Sequence, residues 1–344
     1  MNKILVVQTA FIGDAILTLP MIQKLKEIFN DAELHVLCIP STEEIFSASP
    51  YVNKLFVYDK RGKDKNLISL LKLISKLRRE KYSRIYSPHR SFRTSLVVKF
   101  SGVKLTSGFN NSSLRSIYNY LVKYDPLKHE IQRNLDLIGY SYDSESWKIR
   151  PEVNLSVIKA IPLHKIFVNY TSKSEYIIVA PGSIWNTKKY PTEFYISIIK
   201  YLVSRKYFVL LIGGQKDKAL CKNIESEFSK NVKSVAGKFS LNESISLLSN
   251  AEILISNDSA PTHLGMCADI PVLTIYCSTV PDFGFYPYNA ASNYISYNDL
   301  TCKPCGIHGH NKCPIGTFDC GFKLKPEIVI SKIEEMLNDR NKKL

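Results

Sequence analysis

Residues 3–25, KILVVQTAFIGDAILTLPMIQKL, pass from a short apolar strand into an apolar pattern with the spacing of a helix. The strand-like run ends at Val7, and the apolar residues beyond the next turn recur every three or four positions. Gly13 and Asp14 stand where the two segments meet. A strand that leads directly into a helix is the repeating unit of α/β proteins, so this stretch predicts a parallel sheet covered by helices.

Asp14 has two interpretations that the residues alone leave open. A carboxylate at the start of a helix can cap it by accepting backbone hydrogen bonds. The same carboxylate, placed just past a strand where a cleft opens, can act as a general base. Pro20 lies inside the helical pattern and has no amide N–H, so we expect the helix to be kinked there or to begin after Asp14.

Strand-like and helix-like segments alternate along nearly all of the 344 residues, a length that suits two domains better than one core. A polar, proline-containing stretch interrupts the alternation near the middle. We therefore expect an N-terminal domain over 1–160 and a C-terminal domain over 161–344, the latter with a cysteine-rich loop at 302–320 and a terminal helix. The expected architecture is α/β, with two Rossmann-like domains whose parallel sheets face a central cleft.

Composition narrows the class of protein. Hydrophobic residues make up 45% of the chain and charged residues 22%, as in globular rather than disordered proteins. Lys3 is followed by a short strand-like run instead of the long apolar core of a signal peptide. No apolar run has the length of a membrane span. We expect a cytoplasmic protein.

Positive charge is concentrated in one part of the chain. The net charge is +15, and residues 60–104 hold 14 Lys or Arg against only Asp64 and Glu80. Such a cluster indicates a polyanionic partner, which could be nucleic acid, anionic lipid or a phosphorylated substrate. A solvated helix face is the alternative, and charge alone does not choose between them.

The motif APGSIWNTKKYP, residues 180–191, follows a strand-like run in the second half. Pro-Gly-Ser, ending at Ser183, is typical of a turn at the end of a strand, where open α/β sheets bind ligands. Lys188 or Lys189 could neutralise a phosphate there. An exposed basic loop is the alternative, because lysine is usually a surface residue.

The motif LIGGQKDK, residues 211–218, follows the next strand-like run. Gly213 and Gly214 would allow the backbone to approach a ligand closely, and Asp217 could accept hydrogen bonds from a ribose. A plain strand-to-helix turn is the alternative. The motif is not G-x-G-x-x-G, so the nicotinamide-binding fingerprint is missing.

The motif ISNDSAPTHLGMCA, residues 255–268, contains a helix start. Asp258 and Ser259 are good N-cap types for a helix beginning at Ala260 or the next residue. Backbone N–H groups at such a terminus suit a diphosphate, and His263 could add a side-chain donor. An ordinary, well-capped helix is the alternative.

Four of the eight cysteines lie close together in a C-x2-C-x7-C-x6-C pattern: Cys302, Cys305, Cys313 and Cys320. Four thiolates could hold a structural zinc ion, with His308 and His310 as alternative ligands. Zinc sites usually carry two tight cysteine pairs, whereas only one is present here. Thiols without a metal, or a disulfide, are the alternatives.

Taken together, the stretches GDAILTLP, PGSIWNTKKYP, GGQKD, NDSAPTHLGMCA and VLTIYCSTVPDFGFYP resemble, in order and spacing, glycosyltransferase family 9. This is the family of ADP-heptose:lipopolysaccharide heptosyltransferases, and the resemblance covers nearly the whole chain. The cysteine segment is similar to that of the heptosyltransferase II branch. The resemblance implies a GT-B fold, with the acceptor bound by the first domain and the nucleotide sugar by the second. It also implies an inverting transfer that needs no catalytic metal.

The resemblance further implies roles for individual residues. Asp14 would be the general base, Lys188 the catalytic contact to the leaving phosphate, and Asp217 the acidic residue near the ribose. The implied donor-binding residues are Ser183, Lys188, Lys189, Gly213, Gly214, Asp217, Asp258, Ser259, Ala260 and His263. The implied acceptor-binding residues are Gly13, Lys60, Arg61, Lys63, Arg90 and Arg93.

The expected substrates are ADP-heptose and an inner-core acceptor, either phosphorylated Kdo-lipid A or a heptosylated core. The basic stretch could hold the acidic groups of that acceptor and bring the enzyme to the anionic surface of the inner membrane as a peripheral protein. No cofactor is expected for catalysis. Another nucleotide sugar or glycan acceptor remains an alternative. A nucleic-acid-binding protein is a more distant one, because no recognition motif accompanies the charge.

Overall fold

The computed structural model of the chain describes residues 2–156, 158 and 161–341. The chain divides into two compact units, Met1–Leu155 and Ser156–Leu344. The division therefore falls at residue 155, slightly before the boundary that the sequence predicts at residue 160. No helix of the described part of the chain is both long and apolar enough to cross a bilayer.

Unit 1 is built on a six-stranded sheet in which every pair of neighbouring strands is parallel. Its strands are β1 (Lys3–Val7), β2 (Glu33–Cys38), β3 (Lys54–Val57), β4 (Arg84–Ser87), β5 (Leu105–Phe109) and β6 (Tyr120–Val122). Their order in space is β3-β2-β1-β4-β5-β6. In the register, Leu5 pairs with His35 on one side and Ile85 on the other. The central strand β1 is covered on both faces, which explains its unbroken apolar run.

Five helices cover this sheet: α1 (Ile12–Ile28), α2 (Glu43–Ser47), α3 (Leu67–Arg79), α4 (Phe92–Phe100) and α5 (Glu130–Leu137). The structure excludes a helix that begins after Asp14, because α1 begins at Ile12 and continues through Pro20. Nearly all of its side chains from Ala15 to Leu25 are buried. Packing of this kind supplies most helix stability in proteins and outweighs the one hydrogen bond that proline removes.

Unit 2 repeats the arrangement with a second parallel sheet of six strands. The strands are β7 (Tyr176–Ala180), β8 (Phe208–Leu211), β9 (Val232–Ser234), β10 (Leu254–Asn257), β11 (Val272–Tyr276) and β12 (Asn293–Ser296). They lie in the order β12-β11-β10-β7-β8-β9. The helices are α6 (Thr192–Ser204), α7 (Lys218–Ser226), α8 (Leu241–Leu248), α9 (Ala260–Ala268), α10 (Asp319–Phe322) and α11 (Pro326–Asn341). The predicted α/β class with two parallel sheets is confirmed.

In both sheets the first strand of the unit lies in the middle, and the chain turns outward in opposite directions from it. The strand order therefore reverses between β1 and β4 in unit 1, and between β7 and β10 in unit 2. Loops at such a reversal diverge and leave a crevice at the carboxyl ends of the strands, where α/β proteins bind ligands. Asp14 and Arg90 follow the first pair of strands, while Lys188 and Asp258 follow the second.

Candidate active site

Lys188 and Asp258 form an ion pair at the strand-order reversal of unit 2. The Nζ atom of Lys188 lies 2.6 Å from Oδ2 of Asp258, and the two side chains are 13% and 12% exposed. The hydroxyl of Thr279 donates a hydrogen bond of 2.7 Å to the same carboxylate oxygen. Asp258 thus fixes the position of the Lys188 ammonium. Its residue type suggests a different role, the capping of a helix.

Helix α9 begins at Ala260, as predicted, but its start is not capped in the predicted way. Ser259 is the N-cap residue, yet its side chain makes no capping hydrogen bond. Its hydroxyl donates instead to the carbonyl oxygen of Asn257 at 3.3 Å. The first N–H groups of a helix have no partner within the helix, so those of α9 can serve an anion.

Asn257, at the end of β10, connects the two loops of this site. Its Nδ2 donates to the carbonyl oxygens of Pro181 and Gly182 at 2.8 and 3.2 Å. Its Oδ1 accepts hydrogen bonds from the backbone N–H of Tyr190 and the hydroxyl of Tyr195. The sequence analysis missed this residue. A polar amide at the carboxyl end of a buried strand is the signal that could have found it.

Asp217 explains two of the glycines near the site. Its Oδ2 accepts a hydrogen bond of 2.9 Å from the N–H of Gly214. A Cβ atom on Gly182 would lie 2.2 Å from Oδ1 of Asp217, and one on Gly213 would lie 2.7 Å from its Cβ. A side chain at either position would force Asp217 to move, so the close packing of Asp217 explains both glycines. Ligand approach at Gly213 and Gly214, and a ribose contact by Asp217, stay predictions.

His263 is buried in α9, with 4% of its surface exposed, and its Nδ1 has no hydrogen-bond partner in the described part of the chain. Burial is the main reason that the pKa of His263 falls to about 4; the charge of Asp258 opposes this shift and that of Lys188 adds to it. The imidazole is neutral at neutral pH and can supply a single N–H donor but no positive charge. Lys189 donates to Oδ1 of Asn186 at 3.0 Å, and Ser183 is half-buried.

The cysteine-rich loop packs against the loop that carries Lys188. The N–H of Thr187 donates to the carbonyl oxygen of His310 at 3.0 Å, and the N–H of His310 donates to Oγ1 of Thr187 at 2.8 Å. The hydroxyl of Ser278 donates to the same Oγ1 at 3.0 Å. A Cβ atom on Gly309 would lie 3.0 Å from both hydroxyl oxygens, and the φ of +74° at this position is one that other residues rarely adopt, so both features favour glycine.

All eight cysteines lie among the described residues, and none forms a disulfide. No three His, Cys, Asp or Glu side chains of the described ranges are gathered so that they could hold a metal ion. The four cysteines of the loop thus do not form an assembled zinc site, and the structural zinc stays a prediction. Burial raises the pKa of the Cys313 thiol, but backbone N–H groups of residues 315–318 bring it below its ordinary value.

In unit 1, Asp14 lies on the first turn of α1, directly after Gly13, and is partly exposed. Its Oδ2 accepts a hydrogen bond of 3.2 Å from the backbone N–H of Phe11. Helix capping is therefore one function of this carboxylate. Its position at the strand-order reversal is also the one that the general-base interpretation requires.

Lys60 contacts the loop after β1. Its Nζ donates to the carbonyl oxygen and to Oγ1 of Thr9, at 2.6 and 3.1 Å. The same Oγ1 lies 2.9 Å from Nδ1 of His89. Burial lowers the pKa of Lys60 to about 8, and that of His89 to about 3, with neighbouring cations adding to both shifts.

The other predicted acceptor-binding cations differ in what they contact. Arg93 donates to the carbonyl oxygens of Lys60 and Lys65 at 2.8 and 2.9 Å, so it holds the loop between them. Arg61 is exposed and lies over the ring of Phe11, at 5.7 Å from its centroid. Lys63 is exposed.

Arg90 belongs to a cluster that the sequence analysis missed. Its guanidinium lies 4.1 Å from the ring centroid of Tyr124, and that of buried Arg133 lies 4.8 Å from the same centroid. Nη1 of Arg133 donates to Oε2 of buried Glu130 at 2.7 Å. Burial raises the pKa of Glu130; Arg133 opposes this shift and the charge of Asp14 adds to it. The catalytic candidate Asp14 therefore senses the charge of this cluster.

The cluster has a weak signal in the sequence. Residues 129–133, HEIQR, place two opposite charges three positions apart at the start of an otherwise amphipathic helix. This spacing predicts an ion pair on the exposed surface of a helix, whereas both side chains are buried here.

The sequence profile described as Glycosyltransferase family 9 (heptosyltransferase) matches residues 70–313, more than half of the chain. The chain belongs to glycosyltransferase family 9. It is thus a glycosyltransferase, as the motifs predict. Lipopolysaccharide heptosyltransferase 3 of Escherichia coli is 25% identical over 78% of this chain and 82% of its own. Lipooligosaccharide heptosyltransferase 2 of Campylobacter jejuni is 21% identical over 98% and 99%.

Solved structures of this family have the same fold. E. coli ADP-heptose lipopolysaccharide heptosyltransferase II superposes with a TM-score of 0.78 at 20% identity, over 98% of this chain and 99% of that one. The family 9 glycosyltransferase of Veillonella parvula gives a TM-score of 0.84 at 19% identity, over 98% of both chains. The GT-B-like architecture of two α/β units is confirmed.

Proposed function

We propose that this family 9 member is an inverting heptosyltransferase that transfers heptose from ADP-heptose to the inner core of lipopolysaccharide or lipooligosaccharide. The observation that carries the proposal is the Lys188–Asp258 ion pair next to the uncapped start of α9. The names of the relatives, all lipopolysaccharide or lipooligosaccharide heptosyltransferases, support the substrate class.

The donor half stabilises the leaving group. When the bond between the anomeric carbon and the diphosphate oxygen breaks, negative charge grows on the β-phosphate. The ammonium of Lys188 pairs with Asp258, two residues before α9 begins, so it lies close to the first N–H groups of that helix. Each fixed donor to the leaving group can lower the barrier by roughly 3 kcal/mol. Asp258 and Thr279 hold Lys188 in position, so little rearrangement is needed. Ser183, Lys189, Asp217 and His263 complete the proposed donor site.

The acceptor half supplies the base. Asp14 removes the proton of the acceptor hydroxyl while that oxygen forms its bond to the anomeric carbon, opposite to the leaving ADP. This displacement inverts the configuration at the anomeric carbon. Arg90, stacked on Tyr124, is the cation best placed after β4 to bind an acidic group of the acceptor. Lys60 and Arg93 donate hydrogen bonds to backbone carbonyl groups, so they would position the backbone of the acceptor site.

Transfer on this scheme needs no cofactor, because Lys188 and the α9 terminus supply the positive charge that a divalent ion would otherwise provide. We expect the rate of transfer to be unchanged by a chelator. Loss of activity in chelator that magnesium restores would contradict this part of the proposal. Metal analysis of the purified chain, together with Cys302→Ser and Cys313→Ser variants, tests the structural zinc separately.

The deciding experiment is calorimetric titration with ADP, ADP-heptose, GDP, UDP and NADH, followed by a transfer assay. We expect selective binding of the two adenine diphosphates and transfer of heptose to Kdo-lipid A or to a heptosylated core. Preference for another nucleotide would mean that the chain is a glycosyltransferase that uses a different donor. Salt-sensitive binding to nucleic acid, without affinity for any nucleotide diphosphate, would contradict the proposal. A peripheral location at the cytoplasmic face of the inner membrane completes it.

A further inference from the structure

Helix α3 and the edge strand β3 enclose a groove of about 600 Å³ in unit 1. The groove is lined by the backbone and side chains of β3, by one side of α3, and by the loop that precedes the helix. It does not include Asp14 or any residue of the candidate site in unit 2. Its cationic lining residues are Lys54, Lys63, Lys72, Lys76 and Arg79.

The groove has an excess of positive charge that the chain itself does not neutralise. Lys63, Lys72, Lys76 and Arg79 have no ion-pair partner within residues 2–156, 158 and 161–341. The two acidic lining residues are already engaged. Glu80 pairs with Lys3 at 2.8 Å and Lys54 at 2.5 Å, and Asp64 accepts from the N–H of Asp59. Four cations without an ion-pair partner among the described residues therefore line the groove, which favours an anionic ligand.

The same helix presents apolar side chains to solvent beside these cations. Leu67, Ile68 and Leu71 are 67%, 64% and 56% exposed. Residues three or four positions apart are neighbours on a helix, so Ile68 adjoins both Leu71 and Lys72. The exposed side of α3 thus carries an apolar stripe next to a cationic stripe, while Leu70, Leu73, Ile74 and Leu77 anchor the opposite side in the core.

We propose that α3 is a membrane-docking helix that inserts Leu67, Ile68 and Leu71 among the lipids of an anionic bilayer and takes a lipid phosphate into the groove beside it. Positive charge beside exposed apolar side chains is the pattern of a helix that lies in the interface of a membrane. The charges alone would also suit nucleic acid, but a polyanion in water offers nothing to the apolar stripe. This docking deepens the proposed function, because a lipid-linked acceptor is presented at the same surface.

The test is flotation of the purified full chain with vesicles through a density gradient. We expect the chain to float with vesicles of phosphatidylcholine and phosphatidylglycerol. It should stay in the bottom fraction of the gradient when phosphatidylcholine is the only lipid. Binding should weaken as salt is added, since screening shortens the reach of the charges. A basic residue near an anionic surface contributes about 1 kcal/mol, so Lys72→Gln with Lys76→Gln should lower partitioning about 30-fold.

Matched variants separate docking from general effects of charge and hydrophobicity. Leu67→Ser with Ile68→Ser should also release the chain from vesicles. Lys200→Gln with Lys230→Gln removes two exposed charges from unit 2, and Val168→Ser removes an exposed apolar side chain there. These controls should bind vesicles like the unchanged chain. Circular dichroism and thermal unfolding check that every variant is folded.

The proposal would be overturned by equal binding to neutral vesicles, by unchanged binding of both α3 variants, or by a change in sedimentation showing that α3 contacts a second copy. Transfer to a water-soluble fragment of the acceptor should be unaffected by either α3 variant. Flotation without any heptose transfer would refute the proposed function but not the docking of α3. Heptose transfer without flotation would refute the docking but not the proposed function.

Discussion

Thr187 and His310 exchange two hydrogen bonds although 123 positions separate them in the chain. The hydroxyl of Thr187 also accepts a hydrogen bond from Ser278. This small network ties the cysteine-rich loop to the residue directly before Lys188. The position of the Lys188 ammonium, which we propose stabilises the leaving phosphate, is therefore tied to a loop that contributes no residue to the proposed chemistry.

Thr187→Val should weaken both the fold of unit 2 and the reaction. The substitution removes the acceptor of the His310 N–H and leaves the buried hydroxyl of Ser278 without its acceptor, the latter at a cost of about 1–3 kcal/mol. We expect a lower unfolding temperature and a drop in kcat/KM of about tenfold or more. Thr187→Ser keeps the hydroxyl and is the control. Equal kinetics for the two variants would show that the network does not position Lys188.

Lys188→Ala should lower kcat by about 100- to 1000-fold, the range for loss of one fixed donor to a developing negative charge. It also leaves Asp258 as an unpaired anion beside the diphosphate, so the affinity for ADP should fall as well. Asp258→Asn should cost less, because the positive charge remains.

The double variant tests whether these two residues act as a pair. Residues that share an ion pair have non-additive effects, so Lys188→Ala with Asp258→Asn should bind ADP better than Lys188→Ala alone. Additive losses in a calorimetric titration would contradict the coupling.

Asp14→Asn should abolish transfer and leave ADP-heptose binding within about twofold, because the base belongs to unit 1 and the donor residues to unit 2. The amide can still accept the hydrogen bond from Phe11, so α1 keeps its cap and the fold is preserved. Steady-state rates and calorimetry on the same preparation make the test. Near-normal turnover of this variant would show that Asp14 is not the general base.

Glu130→Gln should change the pH dependence of transfer. Burial raises the pKa of Glu130 to about 7, and the charge of Asp14 adds to that shift. In the unchanged chain, a rise in pH through 7 therefore places a second negative charge near Asp14, whereas the variant stays neutral. The profile of kcat/KM against pH should have an inflection near pH 7 that Glu130→Gln lacks. The isosteric amide keeps its contact with Arg133. Profiles of the same shape for the two proteins would mean that the cluster does not influence the base.

Acid should destabilise the protein through His263. Its pKa lies near 4 in the folded chain, because burial disfavours the charged ring, and near 6.5 when unfolded. The stabilising contribution of the neutral ring is complete above pH 6.5 and is lost as the pH falls through 4. The free energy of unfolding should drop by about 3 kcal/mol over this window. His263→Gln should flatten that part of the profile in denaturant titrations, and an unchanged profile would count against burial as the cause.

Local patterns in the sequence were sufficient for the sheets and for much of the candidate site. Buried parallel strands require unbroken apolar runs, and polar residues at their carboxyl ends mark the ligand side. Lys188 and Asp258 could be found in this way, each from its own motif. Their pairing could not, because it joins residues 70 positions apart through a contact that only the tertiary fold creates.

The other differences have the same origin. The continuation of α1 through Pro20 depends on burial against the sheet, which outweighs a local propensity. Glu130 and Arg133 look like a surface pair until α5 packs on α1, where Asn134 donates to the carbonyl oxygen of Leu17.

The central position of the first strand in each sheet has a consequence for synthesis on the ribosome. β1 is translated before the other strands of unit 1. Its second neighbour, β4, begins at Arg84, so about a quarter of the chain is translated before β1 can pair on both of its edges. Unit 1 has all its strands by Val122, before β7 begins at Tyr176. The half that carries Asp14 can thus fold while the half that carries Lys188 has not yet been translated.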